Sequence, residues 1–460
     1  MYRDQGRTIT NRQGKELCDL LVVCGNHIII FSDKDCVFQA GKDVNVAWNR
    51  WFKAAIWKSA QQTWGAERWM KEHPLGIYLD SQCTKPLPID LPDPAKAKFH
   101  LVVVAHGISE ELMRQYDGSG SLIISSKLKG QSAHSIPFNI GDLDPSKSFV
   151  HVLDDSSLHI LMQTRDTISD FVAYLEKRAA LLRAPTRIYA TGEEELLAIY
   201  LKNMNAEGEH DFVFPLQDGQ QPNVIALFEG HWEEFQQNPQ RIAQVIQNKI
   251  SYVWDDLIEK FSHHALRGDQ YFTPPGGFKD SEKILRFMAV ESRFKRRCLA
   301  QALKEMLQTT SPNQRRLRIM PPVSEGEPHY VLLLFPVLAS ISEEQYRQVR
   351  HQFLYACCLV TRLTNPDAKD IVGFATESGQ KLNGRSEDAC YFDGRTWSDE
   401  MEKEAQSVQE RWEILKSPKI SKFHADEYPN VPLEMKIKNP RNKKCPCGSG
   451  KKYKYCCLNK

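Results

Sequence analysis

Along the first third of the chain, short apolar runs of strand length alternate with longer stretches at helical spacing. The runs LLVV and HIIIF flank Gly25-Asn26, a two-residue turn signal between β-branched segments, and predict a hairpin. Residues 44–72 keep apolar and aromatic positions at helical spacing until Pro74 stops them. Strand runs return at 99–105 (FHLVVVA), 121–125 and 149–153, and residues 166–184 form a helix with Ile168, Phe171, Val172, Leu175 and Leu182 in phase, closed by Pro185. Strand and helix in alternation predict an α/β domain over residues 1–185.

Helical spacing then dominates residues 186–310, at 192–203, 239–261 and 281–307. After the Arg-rich loop SPNQRRLRIMPP comes a strand at 330–337, then a helix opened by Ser342 and Gln345. That pair is a capping box, in which hydroxyl and amide each satisfy an orphan backbone N–H. With a second strand at 370–376 and an Asp393-Gly394 turn, residues 311–416 read as an α+β domain. Residues 417–440, rich in Pro, Lys and Ser, read as a basic linker, and 441–460 as a small separate module.

Composition agrees with several ordinary globular units. The chain has 460 residues, 41% hydrophobic and 26% charged, which excludes a collagenous, coiled-coil or largely disordered chain. The longest apolar run, 330–341, contains Pro336 and falls short of the roughly 20 residues of a membrane span. The N-terminus is polar and lacks the apolar core of a secretory signal, so a cytoplasmic protein is expected. Charge is uneven. Residues 419–460 hold 11 basic and 3 acidic side chains, a net +8, which leaves the remainder at −6. A basic tail on an acidic body suits a polyanion or an acidic protein surface as partner, or is simply a solvated linker.

Eight cysteines are scattered as expected of buried thiols, while Cys445, Cys447, Cys456 and Cys457 crowd into KKCPCGSGKKYKYCC. Two thiolate pairs eight residues apart close on one tetrahedral ion, and zinc, redox-silent and content with four soft ligands, fits a structural site. Gly448 and Gly450 permit the tight turn, and Lys451, Lys452 and Lys454 favour the thiolates. The segment resembles the SEC-C zinc motif, the small module at the C-terminus of the bacterial preprotein translocase ATPase and of many unrelated bacterial proteins. Cys457 stands where many members carry His. In the translocase the module docks an export chaperone and lipid, so the resemblance implies binding. No Gly-x-x-x-x-Gly-Lys-Ser/Thr loop is present, so the resemblance does not extend to the ATPase.

The hairpin carries the other chemical signal. If Gly25-Asn26 is the turn, cross-strand partners sum to 51, and Asp19 faces Ser32. Alternation sets Asp19, Ser32 and Lys34 on one face and Cys18 and Asp33 on the other. A carboxylate and a lysine at one strand end resemble the PD-(D/E)XK phosphodiesterases and nuclease-related domains, where acids hold magnesium and lysine orients the attacking water. The resemblance implies a nuclease-like N-terminal domain with Glu16 and Asp19 as the early acids, Lys34 as the lysine and Gln61 or Gln62 as the glutamine on the following helix. Ser32 departs from the pattern, which has an acid there, so Glu16 or Asp33 must supply the second carboxylate. The rival reading is a buried hairpin with Asp19 and Lys34 merely at strand ends.

Other features are weaker. The tryptophans of 44–72 spread round the helix, as in a core element or, alternatively, a base-stacking platform. The clusters Arg293, Lys295, Arg296, Arg297 and Arg315, Arg316, Arg318 suit phosphate contacts or solvated faces. Two functions follow. One is a magnesium- or manganese-dependent phosphodiesterase on DNA or RNA with a zinc docking tail, a plan found in DNA maintenance and antiphage defence. The other is a non-enzymatic adaptor whose tail docks on a chaperone, ribosome or membrane surface. For the tail itself, elemental analysis should return about one zinc per chain, lost in a Cys445→Ser/Cys456→Ser variant that otherwise stays folded. Zinc retained by that variant would place the metal elsewhere.

Overall fold

A computed structural model describes residues 1–4, 14–116, 118–216, 220–272, 277–338, 340–379, 384–421, 424–429, 451, 452 and 455. Along the chain, β1 (Tyr2–Arg3) and β2 (Lys15–Glu16) precede the hairpin of β3 (Leu20–Cys24) and β4 (His27–Asp35). A long helix follows as α1 (Val44–Trp51), a π-helical turn at Phe52–Trp57, and α2 (Lys58–Glu72). Then come β5 (Ile77–Tyr78), β6 (Lys98–His106), α3 (Ser109–Tyr116), β7 (Ile123–Lys129), β8 (Asn139–Asp142), β9 (Val150–Leu153), α4 (Asp155–Thr164) and α5 (Ile168–Arg183).

The hairpin has the predicted register, from Leu20↔Phe31 to Cys24↔His27. β4 then pairs in parallel with β6, and β6 in parallel with β9, giving the order β3-β4-β6-β9. Parallel neighbours require a crossover connection, and α1–α2 supplies it between β4 and β6. Both faces of the sheet are covered, so its inner strands read as continuous apolar runs. Ile28, Ile30, Leu101 and Val103 pack toward the tryptophan helix, and Ile29, Val102 and Val104 pack with Leu161, Phe171 and Leu197 of the opposite helical layer. Trp48, Trp51 and Trp64 are buried, and each indole N–H donates to a carbonyl, of His134, Cys36 and Ser148 respectively. These aromatic side chains are core, not a stacking platform for bases.

After Pro185 the chain continues the same unit with β10 (Arg187–Ala190), α6 (Glu193–Lys202), β11 (Val224–Leu227) and α7 (His231–Gln237). β10 pairs antiparallel with β7 and parallel with β11, and the sheet runs β11-β10-β7-β8. The line expected at 185 therefore passes through one sheet. A buried Arg178–Glu193 fork, with Nε–Oε1 2.7 Å and Nη2–Oε2 2.8 Å, ties α5 to the start of α6.

The remaining elements are α8 (Pro239–Asn248), α9 (Tyr252–Arg267), α10 (Phe278–Val290), α11 (Arg293–Thr309), β12 (Arg316–Met320), β13 (His329–Phe335), α12 (Glu343–Thr364), β14 (Asp370–Glu377), β15 (Glu387–Asp393) and α13 (Asp399–Trp412). The Ser342–Gln345 capping box forms at the start of α12. Part of the Arg-rich run expected as a loop is instead the edge strand β12, paired antiparallel with β13. The sheet β12-β13-β14-β15 is mixed, and it buries one face against α12 and α13 and the other against Trp254, Leu257, Ile284, Met288 and Leu299 of α9–α11. The helical middle and the α+β segment thus share a sheet, which makes the fold mixed α/β in both halves. Among the described residues no helix is long and apolar enough to cross a membrane.

Trp254 joins those two layers: it is 1% exposed, packs on Tyr330 and Phe374, and donates its indole N–H to the Met288 carbonyl at 3.3 Å. Trp254→Ala should cost about 3–5 kcal/mol, read as a lower denaturant midpoint.

Candidate functional site

The strand ends around Asp19 differ from a plain ladder. Asp19 lies in a bend before β3, its N–H directed at the Phe31 carbonyl at 3.1 Å although Leu20 already faces Phe31. Two residues addressing one partner is the pattern of a β-bulge, which breaks strict alternation at this position. The Asp19 carboxylate then accepts the Asp33 backbone N–H at 2.8 Å. Ser32 is 1% exposed and donates its hydroxyl to Gln62 Oε1 at 3.4 Å. Gln62 is therefore the glutamine that reaches the hairpin, while Gln61 is exposed. Lys34 is exposed on β4, and Glu16 lies on β2 opposite Tyr2.

Asp33 projects from the other face of β4, as alternation requires, and meets a histidine. Its Oδ1 is 2.8 Å from His106 Nε2, and the Asp155 carboxylate holds His106 Nδ1 from the opposite side. His106 ends β6, and Asp155 opens α4, whose N-cap is Asp154. Asp154 is buried and accepts the N–H of Leu122 at 2.7 Å and of Ser157 at 2.8 Å, which fixes the helix start. Gly107 N–H donates to Asp155 Oδ2 at 3.2 Å. Asp33, His106 and Asp155 thus sit outside the carboxyl ends of neighbouring parallel strands, where open α/β sheets bind ligands. Partial burial pulls the His106 pKa down, but the Asp155 hydrogen bond and charge, and then the Asp33 charge, outweigh it and leave it raised. His106 and Asp155 were not singled out from sequence. The signal available was a polar residue directly after each apolar strand, in FHLVVVAH and VHVLDD.

A three-donor convergence occurs elsewhere. Among the described residues, His27, His100 and Glu176 bring one ligand atom each within 4.8 Å of one another, and Asp19, Glu16 and Asp33 form no such group. His27 begins β4, so the cluster lies about 20 Å from Asp33 at ~3.3 Å per residue. Burial lowers both histidines, His100 to about 4.

The arginine clusters are largely spent inside the fold. Arg293 binds Asp166 at 2.9 Å and Asp255 at 2.7 Å, and its backbone N–H donates to Asp170, which joins α11 to the N-terminal unit. Arg296 caps the Glu291 and Ala289 carbonyls, and Arg297 holds those of Asp426 and Glu427. Arg318 pairs with Glu305, and Arg315 reaches the Trp412 carbonyl.

Cys445, Cys447, Cys456 and Cys457 lie outside the described residues. The family model described as SEC-C motif matches residues 441–459. A curated relative, the protein translocase subunit SecA of Campylobacter curvus (strain 525.92), is 42% identical over 59 residues, 13% of this chain and 7% of that protein. The chain therefore corresponds to a small fraction of that relative's length. No solved structure matches the chain significantly. The tail is similar to a metal-binding motif, consistent with structural zinc.

A histidine raised by two carboxylates adds stability that is complete below its unfolded pKa of about 6.5 and is lost as pH climbs through the higher folded value. The His106 midpoint, followed by NMR, should fall in Asp155→Asn and fall less in Asp33→Asn. An unmoved midpoint in Asp155→Asn would show that the imidazole does not feel this carboxylate.

Proposed function

We propose that the N-terminal α/β unit is a metal-dependent phosphodiesterase acting on DNA or RNA, brought to its site by the zinc tail. The observation that supports it is the strand-end arrangement. The Asp19 carboxylate accepts the Asp33 main-chain N–H, and the Asp33 carboxylate meets His106 at the carboxyl ends of β4 and β6, with Lys34 next along β4 on its opposite face. Two carboxylates, one from the bend before β3 and one from β4, are hard oxygen donors of the kind that magnesium or manganese takes. Asp19 and Asp33 would hold the ion, which supplies Lewis-acid stabilisation of a phosphoryl oxygen and an activated water. Lys34, exposed at the same strand end, would offset charge on the phosphate. His106, whose pKa the Asp155 hydrogen bond and charge raise, would donate a proton to the departing oxygen. The net +8 of residues 419–460, against −6 in the rest of the chain, together with the SEC-C resemblance suits docking on a protein or an anionic surface.

One observation favours the adaptor instead: the position of the usual second acid is Ser32, sealed from solvent against Gln62. A cleavage assay over single- and double-stranded DNA and RNA, with and without magnesium or manganese, separates the two. Cleavage should be manganese-favoured, should vanish in Asp19→Ala and Lys34→Ala, and should fall roughly 10²–10⁴-fold in His106→Ala, the range for losing a general acid. A wild type inert on every substrate, or variants that cut equally well, would leave the adaptor as the function.

A further inference from the structure

We propose that His27, His100 and Glu176 form a second metal site, distinct from the cysteine tail and weaker than it, empty after purification and filled when a late first-row divalent ion such as cobalt is supplied. The donors come from three elements of the rigid core. His27 opens β4, His100 is the third residue of β6, and Glu176 lies in the middle of α5. The parallel register makes the two histidines diagonal neighbours, since His27 is opposite Lys98 and Ile29 opposite His100. Residues two apart along a strand share a face, so both imidazoles project toward the α5 layer with Ile29 and Val102.

Their geometry is that of two ligands before an ion arrives. The rings stack at 5.2 Å with 22° between planes, and His27 Nδ1 lies 3.0 Å from His100 Nε2. A nearby carboxylate oxygen of Glu176 completes a set whose three ligand atoms all fall within 4.8 Å of one another. Metal–nitrogen and metal–oxygen bonds of about 2.0–2.2 Å fit one ion among atoms so spaced. Two imidazoles and one carboxylate favour zinc, cobalt or nickel over magnesium and calcium, which take oxygen ligands. Three protein donors leave a coordination position for water or another ligand. His100 is 5% exposed, His27 partly buried and Glu176 exposed, so the site opens toward solvent on the glutamate side.

Two adjustments accompany binding. Whichever ring donates in the His27 Nδ1–His100 Nε2 contact takes the other tautomer, with its proton on the far nitrogen, so that both facing nitrogens offer a lone pair to the ion. Lys98 Nζ, 3.1 Å from Glu176 Oε1 in an exposed pair, gives up that oxygen. The hairpin turn is already fixed beside the site, because Lys98 N–H donates to the Asn26 carbonyl at 2.7 Å. Little backbone rearrangement is required.

Cobalt titration of the full-length Cys445→Ser/Cys456→Ser protein tests the proposal independently of the tail. That protein should take up one cobalt per chain with visible ligand-field bands and no intense thiolate charge-transfer band. His27→Ala in the same background should weaken binding by more than the ~10–100-fold typical of losing a ligand's hydrogen-bonding partner. Glu176→Gln, at an exposed position that does not threaten folding, should weaken it in the same direction, and an unchanged far-ultraviolet circular dichroism spectrum controls for His27→Ala. No cobalt uptake by the Cys445→Ser/Cys456→Ser protein, or affinity in its His27→Ala and Glu176→Gln variants equal to that of the parent, would overturn the site.

Discussion

The parallel pairing of β4 with β6 is the constraint on which the rest of the N-terminal unit depends. Nine consecutive pairs run from His27↔Lys98 to Asp35↔His106, with the interior residues buried on both faces. A slip of one residue would exchange faces along a strand and expose an apolar set on each side. The same register sets both polar clusters, His27 beside His100 at one end and Asp33 beside His106 at the other. Chemistry at the two ends is therefore a by-product of apolar packing between them.

Charge is used in a similarly economical way. Buried ions are tolerated only when paired and hydrogen-bonded, and α11 meets that demand with Asp166, Asp170 and Asp255 and with backbone carbonyls. Side chains that might have gripped a polyanion instead join the two halves of the chain. Within the C-terminal half, Asp388 of β15 binds both Arg347 and the fully buried Arg350 of α12. The net cationic excess lies in residues 419–460.

The tail is not attached through a free tether from α13 onward. Glu427 binds His210 at 3.1 Å and Gln244 at 3.0 Å, and Tyr428 packs among the side chains around Phe235. The stretch expected as a linker is thus pinned across both halves before the SEC-C segment begins at 441.

Local signals were legible because their physics is local. The Gly25-Asn26 hairpin register, the 44–72 helix ended at Pro74, the Ser342–Gln345 capping box and the Cys-x-Cys, Cys-Cys motif each follow from turn geometry, side-chain period or ligand spacing within a few residues. What lies far apart in the chain was decided only by tertiary structure. Pairing β10 with β7 across Pro185, laying α9–α11 on the sheet of β12–β15, and turning the arginines of α11 inward all depend on which apolar faces find one another. The same holds for His106 and Asp155, which reach Asp33 through β6 and α4 from more than 70 residues away, and for the bulge at Asp19 that aims its carboxylate at the Asp33 main chain. Sequence period tells which face a side chain takes, but only the packed sheet determines which side chains of other strands and helices stand beside it.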